Sequence, residues 1–247
     1  MTDRIPTKAG GTIVGAMTNP VGDGVLAVLP VKRFAAAKSR LGPTHGIRFR
    51  AELAEAMFHD VLRVCTGHGG LAGTLVVTRE PRAARACARH GATHLRERDE
   101  AGLNEAVELG IRHALLAGAR GVLVLPTDLP ALRSDDLDAM LAGCRVPGVS
   151  LGPADCDGGT NWLLACPPDA IRPRFGPDSL SLHVHEAVKA GVATRIVRLE
   201  GVARDIDTDD DLAWFLASSA RSTETWRFLA NGPLADDTTT SDCEYHE

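Results

Sequence analysis

Val122-Leu-Val-Leu-Pro-Thr-Asp128-Leu-Pro130 is the stretch that decides the fold. Four apolar, mostly branched residues end in a proline, a small polar residue and an aspartate. Such a run reads as a strand buried on both faces, as in a parallel sheet. The strand stops where the aspartate begins, so a carboxylate stands at the rim of the sheet. Ligands of open α/β sheets bind beyond the carboxyl ends of the strands. An aspartate there can hold a divalent cation, and the cation can hold phosphate. An ordinary turn aspartate is the competing reading.

The same pattern extends in both directions. Gly24-Val-Leu-Ala-Val-Leu-Pro-Val31 is a second continuous apolar run, followed by a basic loop over 32–45 and an amphipathic helix over 47–65. Leu75–Thr78 reads as a short strand. Pro81 opens a helix that Gly91 ends, and Ala92–Leu95 fits another strand. Leu103–Ala117 is helical, and Ser134 caps a helix with Asp135 and Asp136 in its first turn. Val149–Leu151 and Trp162–Ala165 read as strands around the turn Asp157-Gly-Gly159. Ser179–Ala190 reads as a helix, Thr194–Leu199 as a strand and Thr208–Ala217 as a last helix. Strands alternating with helices predict an α/β fold, a three-layer sandwich around a mostly parallel mixed sheet. The domain is expected over 23–217, between a flexible leader at 1–22 and a polar, acidic tail at 218–247 that loses order toward its end.

Bulk properties narrow the function classes. At 247 residues one or two domains are allowed on a prior of roughly one per ~150 residues. The formal charge of -5 gives no general case for nucleic-acid binding. An anionic ligand would need a local basic patch or a metal. Six cysteines lie scattered without a C-x-x-C pair, which argues against a zinc ribbon and suits a reducing cytosol. Neither a membrane span nor a secretory signal is legible, so a cytoplasmic setting is expected.

Several constellations could carry chemistry. Pro30-Val-Lys32-Arg33-Phe-Ala-Ala-Ala-Lys38-Ser39-Arg40-Leu41 places four cations within nine positions directly after the first strand. It reads either as a triphosphate cradle built on Lys38 and Arg40, with Lys32 in support, or as a solvated loop. No Walker A loop is present, and Gly67-His-Gly69-Gly-Leu-Ala72 precedes a strand instead of following one, unlike a dinucleotide fingerprint. In Arg204-Asp205-Ile206-Asp207-Thr208, alternation puts Asp205 and Asp207 on one face. They could complete a Mg²⁺ site with Asp128; alternatively Asp207 or Thr208 caps the helix that follows, and Asp209–Asp211 are read as first-turn acids alone. Gly158-Gly159-Thr160-Asn161 and Arg174-Phe-Gly176-Pro-Asp-Ser179 offer hydroxyls and backbone N–H groups near element starts, as anion sites or plain turns. Asn104 could read a base or ribose edge, or cap its helix. His183 and His185, two apart on a helix, face different ways and make a poor metal pair.

Together these motifs resemble the 2-phospho-L-lactate / phosphoenolpyruvate guanylyltransferase family of coenzyme F420 biosynthesis. The matching residues are Pro30-Val-Lys32 through Lys38-Ser-Arg-Leu41, Leu103-Asn104, Thr127-Asp-Leu-Pro130, Gly159-Thr-Asn161, Phe175-Gly-Pro-Asp-Ser-Leu180 and Asp205-Ile-Asp-Thr208. Thr127 stands where such proteins usually carry alanine. The resemblance implies a GT-A-like, Rossmann-like nucleotidyltransferase that moves GMP from GTP to a small phospho-acid and releases pyrophosphate. It implies Mg²⁺ held by Asp128 with Asp205 or Asp207, catalytic roles for Lys38 and Arg40, and an acceptor carboxylate near Thr160, Gly176 and Ser179. A labile product would suit hand-off to the next transferase of the pathway. Two alternatives are a nucleotidyltransferase making a molybdopterin or sugar nucleotide, and a non-catalytic nucleotide-binding protein of the same fold.

Overall fold

Alternation along the first apolar run explains the layering. In the strand Val25–Val31, Val25, Ala27, Leu29 and Val31 join one hydrophobic cluster, while Leu26 and Val28 join another on the opposite face. A strand with no polar side must be covered twice, and helices supply both covers. The computed structural model describes residues 23–42, 44–97 and 102–232, with the backbone of two short strands nearer the N-terminus.

In chain order the strands are β1 (Arg4–Pro6), β2 (Thr12–Val14), β3 (Val25–Val31), β4 (Leu71–Thr78), β5 (Thr93–Arg96), β6 (Gly121–Val124), β7 (Gly148–Pro153), β8 (Thr160–Cys166) and β9 (Ala193–Ile196). The helices are α1 (Ile47–Gly67), α2 (Pro81–His90), α3 (Leu103–Leu116), α4 (Ser134–Leu141), α5 (Ser179–Ala190), α6 (Glu200–Ala203), α7 (Asp209–Ala217) and α8 (Glu224–Asn231). The sheet order is β1-β2-β5-β4-β3-β6-β8-β7-β9. β5, β4, β3 and β6 run parallel, and β8 is antiparallel to both β6 and β7. This is the expected three-layer α/β sandwich. One cluster packs α1, α2, α4 and α7 on one face, and the other packs α3 and α5 on the opposite face.

The reversal of β8 positions the site. Val124 pairs with Leu163, so the chain leaving β6 toward Asp128 lies alongside the start of β8, where Thr160 and Asn161 stand. The beginning of one strand and the ends of β3 and β6 thereby share a rim.

Four expectations need correction. The presumed leader contributes β1 and β2, which pair with each other and with the edge of β5, Ile13 opposite Leu95; the rest of 1–22 lies outside the described residues. The domain does not end at 217, because α8 packs on α1. Asp60 of α1 accepts hydrogen bonds from the Glu224 and Thr225 N–H groups and the Thr225 hydroxyl at 2.8, 2.9 and 2.7 Å. This buried carboxylate caps α8 from across the fold; residues 233–247 lie outside the described set. Ser134 is the first helical residue of α4, and the residue before it, Arg133, occupies the cap position. Finally, Cys144 and Cys166 form a disulfide, a pairing the scattered spacing did not suggest. No helix among the described residues is long and apolar enough to cross a membrane.

Candidate active site

The segment after β3 is a folded loop. Phe34 buries its ring against Phe58 at 5.8 Å between centroids, and its N–H donates to Glu80 Oε2 at 3.1 Å. Leu41 is also buried. Between these anchors Lys38 takes a left-handed backbone conformation, φ 55°. Its side chain is turned inward and is only 6% exposed.

Lys38 does not sit free for phosphate, as a cradle lysine would. Its Nζ donates to Asp128 Oδ2 at 2.6 Å and to Asp207 Oδ1 at 2.9 Å. Arg40, largely exposed, donates to the other Asp207 oxygen at 3.0 Å. Burial pushes the Lys38 ammonium toward neutrality. The charges and hydrogen bonds of Asp128 and Asp207 more than offset this, so its pKa lies above the ordinary lysine value. Lys32 is exposed and lines the cleft.

Asp128, Asp205 and Asp207 converge. Each offers a carboxylate oxygen, and the three atoms lie within 4.8 Å of one another. Alternation delivers the later pair: Ile206 is buried in the core, its N–H donating to Asp128 O at 3.3 Å, and its two neighbours turn to the rim. Burial, then the charges of Asp128 and Asp207, push the Asp205 carboxyl up to about 6. Asp128 Oδ1 is buried without a hydrogen-bond partner. Hard oxygen donors, crowded negative charge and an unsatisfied carboxylate oxygen are what a hard divalent cation would match. Three carboxylates against the Lys38 ammonium and the Arg40 guanidinium leave one negative charge over.

Asp211 is not the simple first-turn acid expected. It accepts from the N–H groups of Asp207 and Thr208, from the Thr208 hydroxyl and from Arg204 Nε, at 3.1, 2.9, 2.7 and 2.6 Å. Of Asp207 and Thr208, the two candidates for the cap of α7, Thr208 takes the position. Asp209 holds the far end of the basic loop through Thr44 Oγ1 and His45 Nε2, both at 2.8 Å. Only the reciprocal S/T-x-x-D/E spacing of Thr208 and Asp211 could have signalled any of this.

On the β8 side, Thr160, Gly176 and Ser179 line one lobe together with Asp128, Asp205 and Arg40, of about 220 Å³. Gly176 has φ 139°, where an L side chain is strained, so the glycine is required by the backbone. Asn104 meets the backbone of Phe175. Its Nδ2 donates to Phe175 O at 2.9 Å, and its Oδ1 accepts from Phe175 N at 2.8 Å, so both ends of the amide are used in pinning this lobe. Thr160 Oγ1 lies 3.0 Å from His183 Nδ1. His183 is buried on α5, a satisfied histidine and not a metal ligand.

Two further lobes adjoin. One of about 300 Å³ is lined by Lys32, Lys38, Ser39, Thr127, Asp128 and Asp207. Another of about 260 Å³ is lined by Pro30, Lys32, Arg79, Glu97, Gly102 and Leu103. Pro30 and Leu103 border all three, so they form one cleft along the rim. A cavity of about 540 Å³ lies apart from this chemistry, between α1, the segment 130–134, Trp214 of α7 and the turn that leads into α8.

A nucleotidyl transferase from Methanothermobacter thermautotroptrophicus superposes with a TM-score of 0.58 at 18% identity, over 78% of this chain and 96% of that one, which shows the shared fold. Sequence relatives are nearer. A phosphoenolpyruvate guanylyltransferase of Conexibacter woesei is 43% identical over 188 residues, 75% of this chain and 84% of its own. A 3-phospho-D-glycerate guanylyltransferase of Phenylobacterium zucineum is 36% identical over 190 residues, 75% of this chain and 86% of its own. The profile of the guanylyl transferase CofC-like proteins matches residues 25–231, which holds every element of the site just described. On that span and those identities, the chain belongs to the guanylyl transferase CofC-like family.

Proposed function

We propose that this guanylyltransferase moves GMP from GTP to the phosphate of a small phospho-acid, phosphoenolpyruvate in the first instance, releasing pyrophosphate in the cytoplasmic synthesis of coenzyme F420. The single observation that carries the reading is the cleft itself. Three lobes joined at Pro30 and Leu103 run along one rim, two of them bordered by the carboxylate cluster, and the outer two differ in kind. The 2-phospho-L-lactate and 3-phospho-D-glycerate acids differ from phosphoenolpyruvate by a double bond or the placement of a hydroxyl, and the acceptor lobe is the place where they would be told apart.

Asp128, Asp205 and Asp207 would hold Mg²⁺, which when bound supplies charge neutralisation and a common anchor for the donor and acceptor phosphates. The residues of the chain do the rest. Arg40, at the mouth of the cluster, and Lys32 neutralise the triphosphate and the departing pyrophosphate. Lys38 holds the Asp128 and Asp207 carboxylates fixed in direction through its two hydrogen bonds. Thr160, the backbone at Gly176 and Ser179 orient the acid. The acceptor phosphate is already ionised at neutral pH, so no strong general base is needed and catalysis rests on positioning and charge compensation. In the outer lobe, the Glu97 carboxylate can accept from the N1–H and amino group of guanine, a donor pair that adenine lacks.

The test is pyrophosphate release with GTP, Mg²⁺ and each of the three acids in turn, coupled to the next transferase because the product anhydride is labile. Release that requires GTP and one acid supports the reading. Tight GTP binding with no release in any mixture would mark a non-catalytic nucleotide-binding protein. Release with a sugar phosphate or pterin instead would mark another nucleotidyltransferase.

A further inference from the structure

His183 has no part in the reading above, yet it is fully buried and both ring nitrogens are engaged. The backbone N–H of Arg174 points at Nε2 from 2.9 Å. A backbone N–H can only donate, so Nε2 must carry the lone pair. A neutral imidazole then bears its proton on Nδ1 and donates it to Thr160 Oγ1 at 3.0 Å. Burial keeps the ring neutral by pushing its pKa down to about 4, with the Glu186 carboxylate acting weakly the other way. The ring of Phe175, edge-on with centroids 4.9 Å apart, fixes its plane.

The consequence falls on Thr160. Its oxygen is an acceptor toward His183, so its own proton must be donated elsewhere. Among the described residues that hydroxyl has no second partner, and Thr160 lines the acceptor lobe. We propose that His183 is a positioning residue for guanylyl transfer, whose Nδ1–H tautomer turns the Thr160 hydroxyl proton into the acceptor lobe to bind an anionic oxygen of the small acid. The proposal rests on the functional reading only in naming the ligand as that acid.

Two measurements test it. Long-range ¹H–¹⁵N NMR of the wild-type protein reads the tautomer without any variant. A protonated Nδ1 and a bare Nε2 are expected, and the opposite tautomer or a doubly protonated ring at neutral pH overturns the proposal. The second is a double-mutant cycle on the KM for the acid. Thr160→Val removes the donor. His183→Gln keeps an acceptor for Arg174 N–H but loses the Nδ1 donor. Each should raise the KM for the acid about tenfold and leave the KM for GTP unchanged, as the loss of one hydrogen bond to a charged group implies. The double variant should be no worse than Thr160→Val alone. His183→Asn, whose amide N–H can stand where Nδ1 stood, should restore the KM. Additive losses in the double variant, or an equal rise in the KM for GTP, would assign His183 to general packing. A wild type inactive with every acid overturns the functional reading and the ligand named here, while the tautomer is still scored by NMR.

Discussion

Replacing Lys38 with methionine probes the centre of the site without changing its shape much. The lysine is nearly buried and touches two carboxylate oxygens at 2.6 and 2.9 Å, on side chains that are each 29% exposed. At an effective dielectric of about 20, one pair at such a distance is worth about 6 kcal/mol before desolvation is charged against it. Removing one partner of a buried pair costs about 3–5 kcal/mol, because the other charge is stranded. Water reaches the two aspartates and methionine packs better than an ammonium, so the low end applies, about 3 kcal/mol. For a chain of this size that lowers Tm by about 6–12 °C. The variant should also gain more from Mg²⁺ than the wild type, since its three carboxylates have lost their buried counter-ion and keep only the exposed Arg40. Scanning calorimetry of both proteins, with and without Mg²⁺, reads both effects. An unchanged Tm, or equal stabilisation of both proteins by Mg²⁺, would refute the idea that Lys38 balances this cluster.

Other expectations follow from the same geometry. Asp211→Ala removes four hydrogen bonds that shape the Asp207–Thr208 turn and should cost about 2–4 kcal/mol in urea unfolding, with turnover falling alongside. Glu97→Gln should narrow the preference for GTP over ITP, which lacks the amino group, by about tenfold or more in kcat/KM; an unchanged ratio would remove Glu97 from base reading. His183 is neutral in the fold with its pKa lowered to about 4, whereas an unfolded histidine titrates near its ordinary 6.5. Between those values the unfolded chain binds more protons, so stability is intact above about 6.5 and falls as the pH drops toward 4, by about 3 kcal/mol from this group. Urea midpoints across that range should slope less steeply in His183→Asn than in the wild type; parallel slopes would contradict the assignment.

The parts of the site that were legible in the sequence are those with a local signature. Val122–Leu125 announces a buried strand, and Asp128 follows because a strand must end at a rim. Asp205 and Asp207 flank an apolar Ile206, and period-two alternation sends them to one side whether or not a partner is known. What was hidden depends on direction or distance. An apolar run does not state which way its strand points, so the reversal of β8 that brings Thr160 beside Asp128 had to be seen. Asn104 and Phe175 meet across 71 residues, and no local pattern separates an amide that reads a base from one that pins a loop. Lys38 looked like a phosphate ligand because its cationic neighbours are visible in sequence, while the carboxylates that hold it lie 90 and 169 positions away. The short α8, in a stretch read as tail, is held by a buried carboxylate on α1, by its own Thr223 cap and by Trp226, Phe228 and Leu229 packed on the core.

The most direct measurement is Mg²⁺-dependent pyrophosphate release from GTP and phosphoenolpyruvate by the wild type and by Asp128→Asn, which keeps the side-chain shape and removes one charge. The wild type should release pyrophosphate only when both substrates and the cation are present. The variant should lose at least about a hundredfold in kcat, on the order of the loss of a principal electrostatic group. Near-wild-type release by Asp128→Asn at the same Mg²⁺ concentration would contradict the claim that transfer takes place at the carboxylate cluster where β6 ends.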